Sequence, residues 1–335
     1  HHYHKRHGLA LKDRLIAWLP RYAPWAARLP WLANLRDAIP GLAALSELLL
    51  GLSAKRSLPK WRGDAFLSGT HTPGKSEGEE QREVVLLVDT FNNYFEPDNA
   101  RAALAVLEAA GYRVHLARAA DSERPLCCGR TFLASGLVDE ARAEARRTIA
   151  ALRPYVERGL PIVGLEPSCL YTLRDEFKSM LPGAPTEALA ARALLFEEFL
   201  AAEQQAGRLK LKLKPLPQKK ALLHGHCHQK AFGAMSQVAQ VLGLVPELKV
   251  ETVEASCCGM AGAFGYEAGH YEVSMKMAEA SLLPALRKAC ADTLLVADGT
   301  SCRHQIHDGL RTGKASSPSV AQGVAVHVAQ VLARA

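Results

Sequence analysis

Two Cys-Cys-Gly triplets, Cys127-Cys128-Gly129 and Cys257-Cys258-Gly259, carry the chemistry of this sequence. Adjacent cysteines put two thiols on one tight turn, and the glycine lets backbone come close. Each triplet is followed, about forty residues on, by a lone cysteine, Cys169 or Cys302. The same device used twice points to soft-metal binding or to thiol redox chemistry. The second set is the fuller one. Cys227, Cys257, Cys258 and Cys302 suffice for a cubane (4Fe-4S) iron–sulfur cluster or for tetrahedral zinc, and residue type alone does not choose between them. Zinc sites usually carry Cys-x-x-Cys knuckles, which are missing here, and ligands on three separate segments fit a bulky cluster better. His224, His226 and His228 flank Cys227 and either support strand ends and sulfurs or lend one ligand.

The first set, Cys127, Cys128 and Cys169, has no cysteine near Asp89-Thr90, where the counterpart of Cys227 belongs. It is either a degenerate structural copy or a second metal site completed by Asp89, by solvent or by a cysteine of the other set. Gly129 and Gly259 are expected to bring backbone N–H groups to sulfur. The glycine-rich run Gly259–Gly265 lacks the lysine of a phosphate-binding loop. Cys290 lies outside both sets and reads as a small apolar residue.

These thiols need elements to hold them. Val84–Val88, Tyr112–Ala117 and Pro161–Leu165 read as strands, with helices at Pro97–Ala110 and from Phe132 to Val156. The order repeats with strands at Lys220–His224, Leu248–Val253 and Thr293–Ala297 and helices at Met235–Leu242 and Tyr271–Lys288. Parallel βαβ units follow, in an α/β fold of two pseudo-repeated small lobes. Every cysteine but Cys290 then falls just after a strand, at the rim where such sheets collect ligands. The expected divisions are a proline-broken helical segment (1–61), a linker (62–82), lobe 1 (83–185), a helix and Lys-rich connector (186–217) and lobe 2 (218–335). In the first segment, Leu11–Leu19, Trp25–Leu29, Trp31–Ile39 and Leu42–Leu50 read as short helices ended by prolines. Glu187–Gln205 reads as a solvent-washed helix, and Ser319–Arg334 as the last helix.

Composition narrows the class. The chain has 335 residues, 48% hydrophobic and 22% charged, with a net charge of +7. These are the proportions of an ordinary globular protein. Its basic residues are scattered without interleaved aromatics, so nucleic acid is not an expected partner. Eight cysteines in this length suit a reducing cytoplasm better than a disulfide scaffold. No apolar run is long enough to span a membrane, although the Trp- and Arg-rich start suits either a packed segment or contact with the inner-membrane surface. The interrupted His-rich beginning, His1 to His7, reads as cut from a longer sequence.

The paired triplets resemble the cysteine-rich CCG domain found in the B subunit of heterodisulfide reductase, in the iron–sulfur subunit of glycolate oxidase and in lactate-utilisation proteins. The family pattern is a lone Cys, then Cys-Cys-Gly, then Cys-x-x-Cys. Cys227 matches the lone Cys, Cys257-Cys258 the pair and Cys302 the last position, while Gly299 and Glu166 replace the first member of the final couple. The stretches Val88–Pro97, Gly164–Cys169 and His224–Lys230 are similar to the C-terminal region of FAD-linked D-lactate and D-2-hydroxyglutarate dehydrogenases. The resemblance implies an electron-transfer module. It would work beside flavin and ferredoxin-like domains of a parent enzyme, with FAD outside this chain and a quinone or another carrier as acceptor. The fragment is then not catalytic alone. A zinc-bound docking domain and a metal-free thiol/disulfide domain acting through Cys257-Cys258 remain the alternatives.

Overall fold

In the computed structural model the strands are short, parallel and grouped in two sheets of the same order. The structure describes residues 6–69, 82–119, 124–290, 292–311 and 324–335. The first sheet holds β1 (Glu83–Leu87), β2 (Arg113–Leu116), β3 (Ile162–Gly164) and β4 (Ala193–Leu195), ordered β2-β1-β3-β4. The second holds β5 (Lys220–Leu223), β6 (Lys249–Thr252), β7 (Thr293–Val296) and β8 (Ala325–Val326), ordered β6-β5-β7-β8. Leu87 pairs with Gly164 in one lobe and Leu223 with Val296 in the other. Val84, Val85 and Leu86 are wholly buried, as parallel strands covered on both faces must be. The expected α/β repeat is therefore present, with a fourth strand in each lobe that the pattern did not show. In each lobe the chain leaves the first strand to one side and returns on the other. The carboxyl ends of β1 and β3, and of β5 and β7, thus flank a switch point where such folds bind ligands.

Several helices differ from expectation. The Phe132–Val156 stretch is two helices, Arg130–Ala134 and Val138–Glu157. Tyr271–Lys288 also divides, into Tyr271–Glu279 and Leu282–Arg287, because Pro284 has no N–H to continue the ladder. Glu187–Gln205 is not solvent-washed: β4 separates helices Ala184–Arg192 and Phe196–Gln205, and Phe196, Phe199 and Leu200 are buried. Its acids mislead because they are paired. Glu198 accepts from Arg174 at 2.9 Å, and Glu203 accepts from Tyr112 Oη at 2.6 Å and binds Arg82 and Arg208. The last helix is described as Val328–Arg334; residues 319–323 of the expected span lie outside the described residues.

The start also departs from a string of short helices. One helix, Leu11–Ala26, continues through Pro20 and Pro24. Tertiary packing offsets the lost backbone bonds. Ala17, Pro20 and Ala23 are buried, Trp18 meets the Phe132 ring edge-on at 5.3 Å, and Arg21 bonds Glu144 at 3.1 Å. Trp31–Ile39 comprises Pro30–Ala33 and Leu35–Ala38, whereas Leu42–Leu50 is a helix as expected. The described chain clusters into two compact units. One contains 6–33 and lobe 1, and the other contains 34–60 and lobe 2. Of the expected linker, residues 62–69 and 82 are described, with a 3₁₀ turn at Phe66–Ser68.

Candidate metal centre

Lobe 2 builds its rim from three strand ends. After β5, His226 caps the helix Cys227–Ala231. Its Nδ1 accepts from the His228 N–H at 3.2 Å, and its own N–H donates to Gln229 Oε1 at 3.0 Å. Gln229 in turn donates to Asp298 Oδ2 at 2.9 Å, beyond β7. Cys227 is thereby fixed as the first helical residue, and its thiol is on the exposed side. After β6 comes the triplet turn. Gly259 has φ +89° and its N–H donates to Cys257 Sγ at 3.3 Å. A Cβ there would overlap the Ser274 carbonyl oxygen, so only glycine fits this close approach. After β7, Cys302 stands in the helix Thr300–Arg311, and its Sγ lies 3.5 Å from Cys258 Sγ. Both of these cysteines belong to the apolar core of the lobe.

The four sulfurs are neighbours: Cys258 Sγ lies 3.5 Å from Cys302 Sγ, Cys257 acts on Cys258, and Cys227 and Cys257 act on each other. Crowding makes thiolates costly here. The neighbouring Cys258, and then burial, push the Cys257 thiol well above its usual range. Cys257 pulls Cys258 down, but Cys302 and burial outweigh it. Burial, and then Cys257, raise Cys227. A cation removes this obstacle, because it displaces the protons and turns sulfur–sulfur repulsion into shared attraction.

Lobe 1 repeats the frame with other residues. Asp89 caps Thr90–Tyr94. It accepts from the N–H groups of Phe91 at 2.9 Å and Asn92 at 3.1 Å, and Thr90 stands where lobe 2 has Cys227. Gly129 has φ +76° and donates to Cys127 Sγ at 3.3 Å; its Cβ would lie 2.9 Å from the Ala141 carbonyl oxygen. Cys128 acts on both Cys127 and Cys169, which marks the three thiols as neighbours. Two buried carboxylates stand beside them. Glu166 caps Pro167–Arg174 and accepts from Ser168 Oγ at 2.8 Å. Burial, and then the Glu166 charge, lift Asp89 to about 6. Cys128 lowers Cys169, but burial and the charges of Asp89 and Glu166 take it to about 12.

Residues 90–174 and 221–307 each match the family model of the cysteine-rich domain designated CCG. The chain belongs to the cysteine-rich CCG domain family. Over 276 residues it is 27% identical to the C subunit of the anaerobic glycerol-3-phosphate dehydrogenase of Escherichia coli K12, covering 82% of this chain and 67% of that protein. Over 324 residues it is 30% identical to the D-2-hydroxyglutarate dehydrogenase of Pseudomonas putida, covering 91% of this chain but only 29% of the relative. Lactate utilization protein A of Bacillus licheniformis is 24% identical over 254 residues, 98% of its length. No described helix of this CCG chain is long and apolar enough to cross a membrane.

The CCG frame brings Cys227, Cys257, Cys258 and Cys302 to one rim, and Cys127, Cys128 and Cys169 to the matching rim of lobe 1. His226 and His228 stack at 5.2 Å between centroids, with His226 acting as a helix cap. Cys290 precedes β7 and lies at the opposite, amino end of that sheet. The sequence pattern did not single out His224 from its two neighbours. It is buried, neither ring nitrogen has a hydrogen-bond partner among the described residues, and a ring nitrogen lies within 4.8 Å of both Cys258 and Cys302 Sγ. Its signal was available: an apolar strand, Ala221-Leu222-Leu223, ends in a histidine. Burial, and then Lys230 and His226, lower the His224 pKa to about 3, so the ring is neutral at ordinary pH.

Proposed function

We propose that the chain is the electron-transfer module of a flavin-dependent 2-hydroxy-acid dehydrogenase, with an iron–sulfur cluster in lobe 2. The set of four neighbouring thiols at the switch point, with Cys258 and Cys302 Sγ 3.5 Å apart, carries this reading. Cys227, Cys257, Cys258 and Cys302 would hold the cluster. When bound, it would accept and release single electrons. The chain's own contribution is to supply protonated thiols ready for exchange, to bury Cys258 and Cys302 against the core, and to aim the Gly259 N–H at sulfur. Hydrogen bonds to sulfur raise a cluster's potential. Cys227, on the exposed side, offers the short way in and out for electrons. The kinds of relatives support the dehydrogenase setting, and a flavin domain as donor and a quinone or another carrier as acceptor complete the proposal. Cys127, Cys128 and Cys169 form the weaker, second candidate site.

A second reading is favoured by one distance. Thiolates on a single tetrahedral ion at about 2.3 Å stand roughly 3.8 Å apart, close to the 3.5 Å between Cys258 and Cys302. A zinc-bound docking domain would use that spacing. A metal-free thiol enzyme is disfavoured, because catalytic cysteines need lowered pKa values and these are raised. Anaerobic purification with iron, sulfide and zinc analysis and an EPR spectrum separates the readings. Iron and sulfide with a reducible signal are expected. One equivalent of zinc in a colourless, redox-silent protein would overturn the cluster.

A further inference from the structure

We infer that His224 supplies a nitrogen ligand to the lobe 2 metal centre, joining Cys258 and Cys302 in a buried cradle and making the centre a mixed sulfur–nitrogen site. The inference rests on the metal-binding reading of lobe 2 given above. Three observations carry it. The ligand atoms of His224, Cys258 and Cys302 all lie within 4.8 Å of one another, and all three residues are buried. That spacing is within the reach of a single coordination sphere. Both His224 ring nitrogens lack a hydrogen-bond partner among the described residues, at 1% exposure. Leaving a buried polar group unpaired is costly, so an imidazole in this place calls for a partner that the described residues do not provide. A metal ion is such a partner, and imidazole suits iron and zinc alike.

The third observation is a control inside the molecule. His224 stands three residues before Cys227, and Leu87 stands three before Thr90, the residue that replaces that cysteine in lobe 1. The registers agree. Leu87 pairs with Gly164, five residues before Cys169; the His224 N–H donates to the Val296 carbonyl, which sets His224 beside Ala297, five before Cys302. The same place in the frame is therefore filled by an ordinary apolar side chain where the cysteine set is short, and, where the set is complete, by an imidazole with no hydrogen-bond partner among the described residues. Packing alone does not ask for histidine here. Of the two neighbouring histidines, His226 is already engaged as a helix cap, since its Nδ1 accepts from the His228 backbone N–H, and the rings of His226 and His228 stack. A neutral nitrogen in place of a further thiolate leaves a centre less negative and raises its reduction potential, as histidine does in two-iron centres of the Rieske kind.

The test uses the full chain, loaded anaerobically with ferrous iron and sulfide, or in parallel with Co²⁺ alone. Pulsed EPR of the loaded protein, grown with ordinary or ¹⁵N-labelled histidine, is expected to give a strongly coupled nitrogen that responds to the isotope. The coupling should be lost in His224→Cys, whose centre should still form at a lower potential, and kept in His226→Gln. Because the native chain carries the isotope experiment, misfolding of a variant does not blunt it. A loaded centre with no strongly coupled nitrogen, or coupling that survives His224→Cys, overturns the inference and leaves the metal reading standing. Failure of the native chain to retain either iron or cobalt overturns both.

Discussion

Gly259 meets two demands at once, a positive φ and a backbone approach that leaves no room for Cβ beside the Ser274 carbonyl. Gly259→Ala is therefore expected to destabilise lobe 2 by on the order of 3 kcal/mol, from strain plus displacement of the Tyr271–Glu279 helix. Urea unfolding measures this, and a change below about 0.5 kcal/mol, the range of neutral surface substitutions, would refute the account. In lobe 1 the informative residue is Asp89. Its pKa is raised to about 6, so the native state binds the proton more tightly than the unfolded chain, where the ordinary value is 3.8. The associated stability is present below the unfolded value and is lost as pH rises through about 6. A rise of this size is worth roughly 3 kcal/mol at most. Asp89→Asn, which keeps a capping side chain, should remove that fall, and stability curves of the two proteins between pH 4 and 7 that run parallel would count against it. At this scale the sequence was largely legible: cysteine types and spacing picked out both rims, and the missing thiol of lobe 1 was visible at Thr90. His224 was not, because burial and the lack of a partner are facts of three dimensions, and three histidines in five residues look alike in one.

Among the elements, the segment 34–60 is pinned to lobe 2 by several contacts, of which the buried Arg56 side chain makes the most. Arg56 is 1% exposed, donates to Gln305 Oε1 at 2.5 Å, lies over the Tyr271 ring at 5.2 Å and stands 3.5 Å from Asp308. Beside it the Ser53 N–H donates to the Tyr266 carbonyl at 2.8 Å. Removing one partner of a buried charge pair costs about 3–5 kcal/mol, and with Arg56 and Asp308 both buried, Arg56→Ala should fall in that range. Arg56→Lys should rescue little, since a point charge does not reproduce the planar fork or its stacking. Limited proteolysis is the direct readout: cleavage within 34–60 should quicken in Arg56→Ala, and an unchanged rate would show that other contacts hold the segment. No sequence pattern announces such a strap, because Arg56 reads as one more surface base. The same limit hid β4 and β8, which have three and two residues and are defined by pairing with β3 and β7. By contrast β1, β5 and β7 are apolar runs bounded by turns, and their burial follows from composition.

Two compact units, each with its own sheet and its own rim of thiols, make the whole molecule unlike a single cooperative domain. A metal that binds the native state but not the unfolded chain stabilises in proportion to the logarithm of its concentration over its dissociation constant, about 4 kcal/mol at a thousandfold excess. That stabilisation should act on one unit alone, because the complete set of four cysteines lies in lobe 2. Calorimetry of the metal-loaded chain is thus expected to give two transitions, and stripping the metal under reducing conditions should lower only one of them. Cys258→Ser should abolish the shift, since it removes the sulfur that neighbours Cys257 and lies 3.5 Å from Cys302 Sγ, whereas Cys128→Ser should leave it intact. If Cys128→Ser abolished the shift as well, the thiols of lobe 1 would be taking part in metal binding on equal terms. The asymmetry argued from Thr90 and Leu87 would then be wrong, and the first triplet would have to be read as the equal of the second.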